Sequence, residues 1–221
     1  MLTAQDTIDR VLSRLGPGAS RFWDVELDLI PAYNDALDEI SDETGFWERN
    51  VTVPRRKWST YTDLRGVLPE EPLQITAVWS PNTQRFLQTT SVRELDASLG
   101  RGWERNTDLP RAWFMRGLWW LGIYPRPADD TSPVRVYYKG MAPHLTSDGG
   151  LGFGLTQSPG LPPDFEPAIE EYMLYALCAD DKESKQSMDS WQSFEGMMME
   201  LKAAVGQRMH RDRTPRMGAR R

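Results

Sequence analysis

The sequence predicts an α+β fold: a helical bundle built from the N- and C-terminal helices, an inserted antiparallel β-sandwich or barrel domain, and an extended C-terminal arm. Three observations predict it. Apolar residues recur at helical spacing near both ends, as Ile8, Val11, Leu12 and Leu15 and as Ile169, Tyr172, Met173, Ala176 and Leu177. Between them, from Phe46, the chain breaks into short β-type runs separated by turn residues. Residues 201–221 then carry seven Lys and Arg against the single acid Asp212. Helices, strands and helices in that order place a sheet domain between two helical halves that pack together.

The elements follow in chain order. Thr3 with Asp6 resembles a capping box, and Gly16-Pro17-Gly18 ends the first helix. Asp24 caps a second helix whose stripe is Leu27, Ile30, Tyr33, Leu37 and Ile40, ending at Gly45. Pro31 falls inside that pattern, so either the helix kinks there or a short turn ends at Ile30 and Pro31 begins the main helix; the second is favoured. The strand runs are WERNVTVP, KWSTYTD, LQITAVWS, RFLQTT, RAWFMRG, LWWLGIYP and PVRVYYKG, with a hairpin turn at Ser80-Pro81-Asn82-Thr83. One short helix interrupts them, boxed by Ser91 and Glu94, with Leu95 and Leu99 facing inward.

The stretch from Lys139 to Pro163 is rich in Gly and Pro and is expected to be mobile. After it, Asp164 caps a helix with Pro167 in its first turn, and a last helix runs from about Lys185 to Met209. The resulting organisation is 1–45 helical, 46–148 β-domain, 149–162 loop, 163–208 helical, and 209–221 basic arm.

Composition narrows the function classes. The 221 residues are 39% hydrophobic and 26% charged, which suits one large domain or a domain carrying an insertion. No apolar run approaches the ~20 residues of a membrane span, and the opening MLTAQDTIDRVLSRLG has charges within its apolar stretch, unlike a secretory signal. The single Cys178 excludes an intramolecular disulfide framework, which suits a reducing cytosol. The net charge of −6 conceals a split: residues 201–221 sum to +6, and the first 200 residues to −12.

Each motif has a plain structural reading beside the chemical one. Seven of nine tryptophans lie in the strand region, and WFMRGLWWLGIY is apolar in both phases of strand alternation. That pattern favours strands covered on both faces over an exposed sugar or base platform, and Trp113, Trp119 and Trp120 are expected to stabilise the β-domain. The only histidines are His144 and His210, and Cys178 sits in an apolar helix stripe, so neither a metal set nor a nucleophile-base pair assembles. No catalytic, cofactor-binding or metal-binding residue is predicted. The adjacent pairs Glu170-Glu171 and Asp180-Asp181 are assigned to solvated helix faces. Gly150-x-Gly152-x-Gly154 lacks the Lys-Ser/Thr of a phosphate loop. The tail QRMHRDRTPRMGARR is either a solubilising end or a basic arm for an acidic groove.

Taken in order, several segments carry a family cadence. They are LTAQDTIDRVLSRLG, the helix end Glu43-Thr44-Gly45, the VRELD segment Val92–Asp96, IYPRP (Ile123–Pro127), VRVYYKGM (Val134–Met141), and LPPDFEPAIEEYMLYAL (Leu161–Leu177). This order resembles the head-to-tail adaptor (connector) proteins of tailed bacteriophages over nearly the full chain. Pro31 and the high tryptophan count depart from that pattern. The resemblance implies a non-enzymatic ring, expected to be a dodecamer, that sits beneath the portal protein, extends the DNA channel, and connects to a tail nozzle or other tail protein. DNA would pass without specific binding along an acidic wall, and the location would be the virion neck after synthesis in the host cytoplasm. Arg208, His210, Arg211, Arg213, Arg216, Arg220 and Arg221 are the expected portal-docking residues. The rival readings are a carbohydrate-binding or tail-fibre-type module using the Trp-rich sheet, and a small hydrolase with carboxylates assembled in space.

Overall fold

Local chemistry places the first helix. Thr3 Oγ1 accepts from the Asp6 N–H at 3.1 Å, and Asp6 Oδ2 accepts from the Thr3 N–H at 2.9 Å, so both members of the box engage. Helix α1 (Ala4–Leu15) follows, burying Ala4, Thr7, Ile8 and Val11. The structure is a computed structural model that describes residues 2–69, 72–130, 133–147, 152–178 and 185–213, with 207–213 as backbone alone. Contacts divide the chain into two units, residues 1–46 with 142–221, and residues 47–141.

In the first unit, the Asp24 carboxylate accepts from the N–H groups of Glu26 and Leu27 and opens a π-helical turn, Val25–Leu29. Helix α2 (Ile30–Thr44) continues directly, with Pro31 in its first turn, where an absent N–H forfeits no helical hydrogen bond. The inward row is Leu29, Tyr33, Leu37 and Ile40, all fully buried, whereas Leu27 is 78% exposed. The predicted stripe thus started two residues early, because the wide π turn puts position 29, and not 27, in line with Tyr33. Gly45 ends the helix at φ 55, with its N–H donating to the Ser41 carbonyl.

Helices α4 (Pro167–Cys178) and α5 (Lys185–Arg213) complete this unit. α4 packs against α1, α2 and α5. It buries Ile169, Met173, Leu174 and Leu177, while α5 buries Phe194, Met198 and Leu201. Tyr172 and Ala176 are half-buried.

The stretch before α4, expected to be mobile, is tied down where it is described. Leu145, Phe153 and Leu161 are buried, and Asn34 brackets Leu145, accepting from its N–H at 2.7 Å and donating to its carbonyl at 3.0 Å. The N–H groups of Ala4 and Gln5 donate to the carbonyls of Gln157 and Leu155. Gly152 is required by close approach: a Cβ there would fall 1.7 Å from the His144 carbonyl oxygen. Gly150 lies outside the described residues.

The second unit is a two-sheet sandwich. Strands β1 (Glu48–Val53), β3 (Gln74–Ser80), β4 (Arg85–Phe86) and β8 (Val134–Lys139) form one sheet in the order β1-β8-β3-β4. Strands β2 (Tyr61–Asp63), β5 (Gln88–Thr89), β6 (Ala112–Arg116) and β7 (Trp120–Tyr124) form the other, ordered β2-β7-β6-β5. The run RFLQTT divides between them: β4 pairs with β3, Leu87 is buried, and β5 pairs with β6. That last pairing is parallel, the one departure from an otherwise antiparallel set.

Val53, Val78, Val134 and Val136 of the first sheet meet Trp113, Leu121 and Ile123 of the second in one core. The far face of the second sheet is also covered. Helix α3 (Val92–Leu99), boxed by Ser91 and Glu94, lays Leu95 with Trp103 over Phe114. Trp103 and Phe114 meet edge to face at 5.7 Å, and Trp103 donates its indole N–H to Asp96 at 2.8 Å. Phe114 lies across Gly122, its cross-strand partner, where a Cβ would sit 2.3 Å from the ring. Both phases of alternation are therefore buried within β6 and β7, at Trp113, Phe114, Leu121, Gly122 and Ile123, whereas Leu118 in the turn between them is 46% exposed. Two residues are corrected: Leu99 and Trp120 are 47% and 43% exposed, because each lies at an end of its element.

Candidate functional site

The candidate site is the outer part of α5 with the acidic helix beside it. α5 has 29 residues, about 43 Å at the usual helical rise. Its first half is held by aromatic packing, with Tyr172 against Phe194 at 5.2 Å and Tyr175 against Trp191 at 4.7 Å. Among its described side chains, which end at residue 206, the last fully buried one is Leu201, and Ala204 and Val205 are half-buried. From there the helix runs on to Arg213, four residues beyond the predicted end at Met209.

Four of the seven predicted docking residues, Arg208, His210, Arg211 and Arg213, therefore belong to this helix. By register, positions 208 and 211 fall on one side and 210 and 213 on the other, so the basic positions surround the rod. Arg216, Arg220 and Arg221 lie outside the described residues, as do Asp180 and Asp181.

α2 supplies the opposite charge. It carries Asp35, Asp38, Glu39, Asp42 and Glu43 with no Lys or Arg. Asp35, Asp38 and Asp42 share one face at i, i+3 and i+7. Lys202 of α5 pairs with Glu43, and His144 Nε2 lies 2.8 Å from Asp38 Oδ1. Burial, and then the charges of Glu39 and Asp35, push the Tyr172 hydroxyl upward.

One ionic feature was missed in the sequence. Glu170 and Glu171 are not merely a solvated pair: Arg14 Nη1 donates to Glu170 Oε1 at 2.8 Å and to Glu171 Oε1 at 2.7 Å. Glu170 is buried, so this clamp ties α1 to α4. Its only sequence signal was Arg14 in the last turn of the first helix, which names no partner. Glu171 first, and then Glu170, raise the Arg14 pKa, opposed by partial burial. Leu2 adds a second tie, donating its N–H to Glu166 Oε2 at 2.8 Å.

Among the described residues, no three His, Cys, Asp or Glu side chains are grouped to hold a metal ion, and no helix is long and apolar enough to cross a membrane. Cys178 is half-buried at the last position of α4. Of the tryptophans, Trp103 and Trp113 are buried, while Trp58 and Trp120 are exposed. Each exposed ring has a guanidinium over it, Arg126 at 5.3 Å and Arg65 at 6.0 Å.

A family model described as SU10 adaptor protein matches residues 2–220. No curated protein matches the chain.

Proposed function

We propose, from the premise that this chain belongs to the SU10 adaptor protein family, that it forms a ring beneath the portal of a tailed phage, extends the DNA channel, and connects portal to tail. The coarser role, a structural adaptor of the bacteriophage particle, follows from the family itself. One observation supports the finer reading: α5 continues past Leu201 to Arg213 and so carries the basic positions 208, 210, 211 and 213 on a helix, in a chain whose first 200 residues sum to −12. Such a rod suits docking into an acidic groove on a portal. Guanidinium forks engage carboxylates and backbone carbonyls there better than ammonium groups do.

Many copies in a closed ring turn a weak contact into firm attachment through effective concentration. A dodecamer matching the portal is the copy number we favour. The acidic face of α2 suits a wall along which DNA slides without sticking. The particle neck is the corresponding location, after synthesis in the host cytoplasm.

Truncation after Gln207 tests the reading. The shortened chain stays folded and monodisperse, and decoration of purified portals, scored by negative-stain imaging and by mass, is lost. Normal decoration by the truncated chain defeats the docking role and leaves Arg208–Arg221 a solubilising end.

A further inference from the structure

Two buried guanidinium donors in the β-unit have no acceptor among the described residues. Arg55, which follows β1 and is 3% exposed, donates from Nη2 to the Pro125 carbonyl at 2.9 Å. Its Nη1 is buried and has no hydrogen-bond partner among the described residues. Arg126, half-buried after β7, has a buried Nε in the same condition. The two segments are joined: the Trp58 N–H donates to the Pro127 carbonyl at 3.1 Å, and Arg126 Nη1 reaches the Trp58 carbonyl at 3.5 Å.

Trp58 has two cations near its ring and an unusual backbone state. Its φ is 63°, a left-handed value that a bulky side chain rarely adopts and that concentrates at ligand clamps. Its ring is 52% exposed, with Lys57 Nζ and Arg126 Cζ each 5.3 Å from the centroid. Exposed Arg56 adds a fourth cation nearby in sequence. The opposing charges are Asp129 and Asp130, and Asp130 is already engaged by the Lys57 N–H at 2.5 Å. Burial of Arg55 lowers its pKa to about 10, against the attraction of Asp129. Burying a charge with donors unsatisfied is unfavourable, and an anion seated there relieves both penalties.

We propose that Arg55, Lys57, Trp58 and Arg126 form a carboxylate-binding site that takes an aspartate or glutamate side chain of a partner protein. A planar carboxylate matches the guanidinium fork. Asp129 and Asp130 repel a phosphate dianion more strongly than a monoanion. That the carboxylate belongs to another particle protein rests on the adaptor reading; the site itself does not.

The test uses the full chain, 15N-labelled, titrated with sodium acetate, sodium chloride and inorganic phosphate at matched ionic strength. The signals followed are the arginine Nε–H resonances of Arg55 and Arg126 and the indole N–H of Trp58, assigned with W58F. Acetate gives saturable shifts and chloride none. Arg126→Gln weakens acetate binding roughly ten-fold while leaving the Trp113 indole signal unchanged. Lys57→Ala, at an exposed position, repeats the test should Arg126→Gln fail to fold, and it too weakens binding. Absence of saturation with acetate, tighter saturation with phosphate, or unchanged binding in a folded variant overturns the proposal. None of these results bears on whether a ring attaches to portals, which the Gln207 truncation tests.

Discussion

The two units solve the same problem of burial with different materials. The β-unit is one continuous segment, residues 47–141, closed by interlocking rings on both faces of the β6–β7 hairpin. The helical unit joins segments from opposite ends of the chain and is tied by polar contacts across more than 150 positions, Arg14 to Glu170 and Glu171 and Leu2 to Glu166. Ring packing fails when volume is lost and a cavity remains. A polar tie tolerates volume change but not the loss of one partner, which leaves the other desolvated and unpaired.

The largest effect that sharpens this contrast lies in the β-unit. Trp113→Ala empties a site shared by both sheets and costs about 3–5 kcal/mol. Trp120→Ala removes an exposed ring with one stacked guanidinium and costs under about 1 kcal/mol. Urea melts of the two variants check this. Equal losses break the claim that burial, and not tryptophan content, stabilises the sheet.

A smaller effect is expected from the helical clamp. Arg14→Met keeps much of the side-chain volume but leaves Glu170 buried without its cation. The cost is roughly 1–2 kcal/mol, discounted because the Arg14 side chain is 41% exposed. The double variant Arg14→Met with Glu170→Gln recovers part of that loss in the same melts. No recovery removes the polar tie as an explanation.

The smallest effect is a pH dependence at the start of α1. The hydrogen bonds from Thr3 hold the Asp6 pKa below its ordinary 3.8. A carboxylate whose pKa is depressed on folding stabilises above its unfolded value, and that contribution disappears as pH falls through the lowered one. The hydrogen-exchange protection factors of the Thr3 and Asp6 amides, taken relative to intrinsic rates at each pH, therefore fall on acidification below about pH 4. In Asp6→Asn this pH step is absent, and a step that persists there assigns it to another group.

Much of this architecture was legible without coordinates, because the relevant forces act over a few residues. Periodicity named the helices, and Thr3-Asp6, Asp24 and Ser91-Glu94 named their starts, since caps are satisfied by neighbours three or fewer positions away. Alternation in both phases announced that β6 and β7 are covered twice. The candidate site was legible in part: its basic residues were named, whereas the helix that carries positions 208–213 and the pairing of Lys202 with Glu43 emerged only in three dimensions.

Helical spacing, turn chemistry and the charge split between the body and residues 201–221 are properties of the sequence by itself, each set by nearest neighbours or by simple counting. The tertiary structure alone decided which rings are core and which are surface, separating Trp113 from Trp120 by their place along a strand. It alone brought Arg14 to Glu170, left Arg55 Nη1 buried without an acceptor among the described residues, and made glycine the residue that fits at position 122 beneath Phe114. These outcomes depend on pairings between residues far apart in the chain, and pattern within one segment contains no record of what will face it across a core.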